Sequence, residues 1–192
     1  MKKIIFLSCA LYLVLSFGTV FAASPNKVTT TLNDIPPAWS KTLQCDATAC
    51  PRFELVMGGA AVLDHETGLV WEQAPSIDRY SWINDNLICA RKTVGGRLGW
   101  HLPTAEQLLS LVDPTAGEFE VTLPIGHPFS NIGLDKFWSA TLMALAEPAN
   151  PSAYSVNFFR GYLDFESTDF GYRAWCVRGG QSNNGSFLPP LP

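Results

Sequence analysis

The amino-acid sequence predicts an α+β domain, and three observations predict it. A hairpin signature comes first, two helical patterns follow in succession, and a run of short strand patterns closes the chain. Strands and helices are segregated rather than alternating, which indicates helices packed on antiparallel hairpins instead of a parallel βαβ sheet. The chain has 192 residues, 47% hydrophobic and 16% charged, with a formal net charge of −4. That length suits one domain with short extensions. The apolar content is too high for a disordered chain. The acidic balance argues against a general nucleic-acid binder, which needs a basic stripe to displace phosphate counterions.

The first residues belong to targeting rather than to the fold. Lys2 and Lys3 precede an apolar stretch over residues 4–21, and Val20 and Ala22 lie three and one positions before a cut after Ala22. A basic start, a short apolar run and a small-residue exit predict a secretory signal over residues 1–22. The rival is an uncleaved anchor, because the run is near the lower length limit for a span. A lipoprotein reading through Cys9 leaves only residues 4–7 as the apolar stretch, which is too short. No later segment is long and apolar enough to cross a bilayer. The chain is therefore expected to be exported, to the periplasm, the outer surface or beyond. Cleavage removes two lysines and no acid, taking the charge to −6.

Four cysteines then remain. In an exported chain they predict two disulfides, with three pairings open. Cys45 and Cys50 are close enough in sequence to close a small loop, and Cys89 is then left for Cys176. Residues 23–51 are polar and contain Pro36-Pro37, and they read as an extended lead-in carrying that loop. Residues 181–192 run through Ser-Asn-Asn-Gly to Leu-Pro-Pro-Leu-Pro. This composition predicts a disordered, Pro-rich tail. The folded unit is expected over residues 52–180.

Within it, Ala61-Val62-Leu63-Asp64 and Leu69-Val70-Trp71-Glu72 flank His65-Glu66-Thr67-Gly68. That is a hairpin, with Gly68 available for positive φ. Ser81 is placed to cap a first helix running to about Lys92. Ile83, Leu87, Ala90 and Val94 fall at i, i+4, i+7 and i+11 and predict its apolar face, and Gly95-Gly96 predict its end. Thr104 and Gln107 form a capping box for a second helix. Ala105, Leu108, Leu109 and Val112 line its apolar side, and Pro114 stops it. Strands are expected over 137–141, 154–159, 162–165 and 172–177, with Arg160-Gly161 as the turn between the middle two.

The same residues carry a family resemblance. The blocks are Ala61-Val62-Leu63-Asp64 through Glu72, Gly95-Gly96-Arg97-Leu98-Gly99-Trp100-His101-Leu102-Pro103-Thr104-Ala105-Glu106-Gln107-Leu108, Leu123-Pro124, Gly126-His127-Pro128-Phe129, Phe137-Trp138-Ser139-Ala140-Thr141, and Trp175-Cys176-Val177-Arg178-Gly179-Gly180. In this order they resemble the Lcl C-terminal domain family over residues 53–180. The resemblance implies an exported or surface bacterial protein with a C-type-lectin-like fold. Such folds join the first helix to the final strand by a disulfide, an arrangement that Cys89 and Cys176 match. The adhesin that gives the family its name implies binding of sulfated glycosaminoglycans and trimer formation. This chain departs from both: it is acidic, whereas sulfated polymers want clustered Lys and Arg, and its 192 residues hold no collagen-like Gly-X-Y tract.

Chemistry-bearing patterns are few. The glycines, Trp100 and Thr104 of the longest block read as turn, core and cap, and Arg97 is left for an anion or a local carboxylate. Trp71, Trp82, Trp100, Trp138 and Trp175 lie in expected elements and read as core. A calcium site needs hard oxygen ligands on one loop. Glu147-Pro148-Ala149-Asn150 is only distantly similar to a lectin calcium motif, and Trp82-Ile83-Asn84-Asp85 lies on a helix. Asp164, Glu166 and Asp169 read as a solvated acidic face. His65, His101 and His127 have no metal spacing. Gly-x-Ser-x-Gly and phosphate-loop patterns are missing from the sequence. No catalytic constellation is complete, so the chain reads as a non-enzyme that needs no cofactor. It is expected to bind a glycan or other surface ligand through loops between Ser139 and Tyr172, with Arg160 and Tyr162 as the contact residues. The alternative is a periplasmic or envelope subunit that binds a protein partner.

Overall fold

The computed structural model describes residues 43–116, 121–144 and 151–180. The expected signal over 1–22, all but the end of the lead-in, the segment 147–150 and the tail over 181–192 lie outside these residues. What is described is an α+β fold of eight strands and two α-helices.

Strand β1 (Phe53–Val56) pairs antiparallel with β2 (Ala61–Asp64), which pairs with β3 (Val70–Glu72) through the expected hairpin. Gly68 takes a φ of 70° in its turn, and its amide donates to the Asp64 carbonyl at 2.7 Å. The Asp64 carboxylate sits under this turn, fully buried. It accepts from the Glu66 amide and the Thr67 hydroxyl, and from both Nε and Nη2 of Arg52 at 3.0 and 2.8 Å. A two-pronged guanidinium is the group that can satisfy a buried carboxylate this way. Arg52 also donates to the Ser110 carbonyl, so the hairpin is tied to the chain just beyond the second helix.

Helix α1 (Trp82–Arg91) is where expected but is rotated. Its buried residues are Asp85, Asn86 and Cys89, while Ile83 is 39% exposed and Ala90 faces solvent. Two distant anchors set the rotation. The Trp82 indole donates to the Ser139 carbonyl at 2.8 Å, and Cys89 is bonded to Cys176. Positions 82, 85, 86 and 89 form one helical stripe, and fixing both ends turns that stripe inward. The helix also ends before Gly95-Gly96. Lys92 is extended, and Val94 starts a separate 3₁₀ turn, Val94–Gly96. Ser81 occupies the cap position without capping; its hydroxyl accepts instead from the Asn84 side chain.

A two-residue strand, β4 (Trp100–His101), leads into helix α2 (Ala105–Leu109). The capping box is present: the Gln107 amide donates to Thr104 Oγ1, and the Thr104 amide donates to the Gln107 side chain. The helix is shorter than the pattern suggests, and tighter turns carry the chain from Leu108 through Val112 toward Pro114.

Strands β5 (Lys136–Leu142), β6 (Ser152–Asn157) and β7 (Tyr162–Ser167) form a three-stranded antiparallel sheet in that order. The other sheet has the order β1-β2-β3-β8-β4, where β8 is only Val177–Arg178. The expected strand over 172–177 is interrupted for a local reason. The Cys176 amide donates to the Glu72 carboxylate at 3.0 Å, and the Trp175 indole donates to the Glu72 carbonyl. A side chain thus takes the place of a ladder partner. Arg173, four residues before β8, pairs with β5: its carbonyl accepts from the Trp138 amide and its own amide donates to the Lys136 carbonyl.

The core has two parts. One centres on the Trp175 ring, which lies 4.9–5.5 Å from the rings of Trp71, Phe129, Phe137 and Phe158. The other gathers Trp100, Leu102, Trp138 and Ala153 around the Cys89–Cys176 bond. Trp71, Trp100, Trp138 and Trp175 are buried as expected, whereas Trp82 is only half-buried. A second disulfide joins Cys45 to Cys50.

Candidate functional site

Two surfaces have the character of sites. The first is the hairpin of β6 and β7, whose register places Asn157 opposite Tyr162 and Tyr154 opposite Phe165. Gly161 takes a φ of 67° in the turn. Arg160 is exposed there, with its guanidinium 5.5 Å from the centre of the neighbouring Phe159 ring. The Tyr162 hydroxyl accepts from the Asn157 amide side chain. Each of the two expected contact residues is thus engaged with its own turn. Alternation along the strand puts Tyr162 on one face and Leu163 and Phe165 on the other.

β7 is an outer strand, and its large side chains face solvent. Tyr162, Leu163 and Phe165 are 41, 40 and 50% exposed, and Phe170 beyond the strand is 55% exposed. The sequence reading missed these rings as a group, because the strand pattern reads as half-buried. Asp164 and Glu166 are not the freely solvated pair expected from sequence. Both hold the Lys136 ammonium, at 2.6 and 3.1 Å, on the side opposite Phe165. Burial works against the Lys136 charge, but these two hydrogen bonds outweigh it and raise its pKa, while Lys136 holds the Asp164 carboxyl below the usual range. Asp169 is exposed.

The second surface is a pocket of about 270 Å³ beside α1. Asp85, Ile88 and Lys92 line one wall, Ser76, Asp78 and Tyr80 another, and Ala174 closes it. These walls are pinned. Arg173 Nε donates to the Ser76 carbonyl, Tyr80 and Tyr172 exchange two backbone hydrogen bonds, and the disulfide holds α1. Lys92 bonds Glu72 at 2.6 Å. Asp85 is 1% exposed, and its Oδ2 has no hydrogen-bond partner among the described residues. Burial pushes its carboxyl up to about 8, opposed only in part by the Lys92 charge, so it is protonated at neutral pH. The sequence held a signal for this: an acid three residues after Trp82 and four before Cys89 shares their helical stripe.

A third, wider groove of about 420 Å³ is lined by Asp113, Thr115, Val121, Leu123, Ile125 and His127, among others. Its polar groups are used locally. Asp113 accepts from the Thr115 amide and hydroxyl, and His127 Nδ1 accepts from the Phe129 amide. Burial lowers the His127 pKa, and that of His101 in β4 likewise. His65 pairs with Glu54. Arg97 is exposed, and its carbonyl accepts from the Trp100 indole. Among the described residues no group of three or more His, Cys, Asp or Glu side chains is placed to hold a metal ion. No described helix is long and apolar enough to cross a membrane.

A search of the curated proteins found no match to this chain. The family comparison did: residues 60–178, from β2 to β8, match the model of the Lcl C-terminal domain. That span covers more than half of the sequence and contains both helices, both sheets apart from β1, and the Cys89–Cys176 bond. The chain belongs to the Lcl C-terminal domain family.

Proposed function

We propose that this chain is an exported, non-catalytic binding module that recognises a glycan or another surface ligand through the β6–β7 hairpin. One observation carries the reading. The large exposed side chains of Tyr162, Leu163, Phe165 and Phe170 are displayed on an outer strand and the turn after it, while the tryptophans other than Trp82 that the structure describes are core. Exposed aromatic rings give a ligand large contact area at low entropic cost. The scaffold beneath them supports recognition by loops, because the Arg173 contacts and the Cys89–Cys176 bond brace it. Two disulfides favour an oxidising compartment and hence export. The bond from the first helix to the end of the domain also favours a C-type-lectin-like frame.

The test is binding of the oxidised, folded protein to a broad glycan array that includes sulfated polymers, with calcium and with chelator. Saturable binding is expected, weak on sulfated polymers because the chain is acidic. Replacing Arg160 and Tyr162 together by Ala should abolish it with the melting temperature unchanged. A blank array from verified folded protein defeats the glycan reading. The outer edge of β7, unpaired among the described residues, would then favour a protein partner added as a strand, as an envelope subunit would use it, and crosslinking in native envelopes should trap one dominant partner.

A further inference from the structure

The outer edge of β7 has a fixed pattern of backbone groups. The Thr168 amide donates to the Pro151 carbonyl, one step beyond the Ser152–Ser167 pair. In an antiparallel ladder only alternate residues turn both backbone groups toward a given neighbour. Asp164 and Glu166 therefore turn theirs to β6, and Leu163, Phe165 and Ser167 turn theirs outward. The Phe165 amide agrees, since it donates to Asp164 Oδ1 at 2.9 Å. The Ser167 carbonyl accepts from the Phe170 amide, which closes the edge at that end. Among the described residues no strand covers the outward groups of Leu163 and Phe165.

The side chains divide by the same alternation. Leu163 and Phe165 stand on one face, 40 and 50% exposed. Asp164 and Glu166 stand on the other around the Lys136 ammonium, and their side chains remain 32 and 30% exposed. Two carboxylates share one ammonium there, and Asp169 adds a third acid just past the strand. One face of the edge is thus apolar and the other carries an excess of negative charge.

We propose that the edge of β7 takes up, antiparallel, an extended segment of a partner protein in which apolar and basic side chains alternate. This rests on the strand-addition reading above and names the partner it would take. Opposite Leu163 and Phe165, apolar residues of the partner exchange backbone hydrogen bonds with the edge. Opposite Asp164 and Glu166 lie its basic residues, at the positions where cross-strand side chains come closest. Asp164 sets the requirement for charge. A partner carbonyl must take the Phe165 amide from Asp164 Oδ1. A basic side chain gives that oxygen a donor in return, while Oδ2 stays on Lys136. A neutral or acidic strand opens the same bond and offers the carboxylate no donor. Asp164 thereby shields the edge from unselected strands and yields to a basic one.

The experiment titrates the oxidised full-length chain, at low salt, with a capped heptapeptide in which Lys and Val alternate from a Lys at each end. Its Lys amides are N-methylated, so that only the Val edge can pair. NMR follows the shifts and hydrogen exchange of the Leu163 and Phe165 amides. Saturable binding is expected, and the Leu163 amide, free of the β6 ladder, should exchange about tenfold more slowly or better at saturation. Moving the N-methyl groups to Val keeps every side chain and should weaken binding about tenfold or more. Ser in place of Lys should weaken it by a similar factor, and Asp164→Asn should shrink that preference for Lys. Amides unmoved at about 1 mM peptide would overturn the proposal. So would a Val-methylated peptide that binds as tightly, because attraction would then be charge alone. A Ser peptide that binds as tightly would strike the basic partner and leave strand addition standing. The peptide comparisons use the natural chain, so they stand even where the variant does not fold. A blank glycan array beside a protected Leu163 amide strikes the glycan reading alone. Saturable glycan binding beside an unmoved Leu163 amide strikes the strand partner alone.

Discussion

Asp85 is the residue at which folding and protonation meet. Its carboxyl titrates near 8 in the folded chain against 3.8 for an ordinary aspartate, because burial disfavours the charge. The folded state therefore holds the proton more tightly than the unfolded state. Stability from this group is complete below 3.8 and is lost as pH rises through about 8. Asp85→Asn removes the titration and keeps the shape. The melting temperature of the natural chain, compared with that of the variant, should fall between these two pH values and level off above them. A difference that stays constant with pH would show that the carboxyl is not buried in solution. At this scale the sequence was a partial guide. It marked Thr104 and Gln107 as reciprocal caps, because both partners lie three residues apart. It could not mark Arg52 for Asp64 or Glu72 for the Cys176 amide, because those partners are brought together only by the sheet.

Among the elements, the two helices differ in how far local pattern decides them. Helix α2 carries its own start signal, and the structure follows it. Helix α1 has an apolar series at Ile83, Leu87 and Ala90 that periodicity alone assigns inward, yet the bonds at Trp82 and Cys89 turn the other stripe to the core. Tertiary anchors outweigh a weak amphipathic pattern. Two-residue strands such as β4 and β8 leave no period to read, and β1 is masked by the exposed Leu55. The hairpin of β6 and β7 was legible in position, but the exposure of its rings was not, since alternation does not say which faces are covered. Its turn makes a prediction. Gly161 has a φ of 67°, and a Cβ there would lie 2.7 Å from Val112 Cγ1. Gly161→Ala should cost about 1–2 kcal/mol from backbone strain alone, measured by urea denaturation. A cost near zero would mean that the turn adopts another form.

For the whole molecule, the Cys89–Cys176 bond is the longest covalent constraint among the described residues. It closes a loop with a sequence separation of 87 across a Cα–Cα distance of 5.3 Å. Chain-entropy reasoning makes such a ring worth about 4–5 kcal/mol. Replacing both cysteines by Ser should lower the unfolding free energy by about that amount in denaturant titrations, and non-reducing peptide mapping of the natural chain should return the 89–176 link. A loss well under 1 kcal/mol would show that the unfolded chain is already constrained. The α+β class was legible at this scale because strand and helix patterns are segregated along the chain. The sheet order was not, because the last strand joins partners from opposite sides. β8 lies between β3 and β4, so an interior strand of the five-stranded sheet is the last part of it to leave the ribosome. Until residues 177–178 emerge, β3 and β4 each hold an open edge waiting for the same two residues. The sheet is thus completed by insertion rather than by growth from one side: a nascent chain stalled short of that point has β1, β2 and β3 paired but leaves β4 without its partner strand.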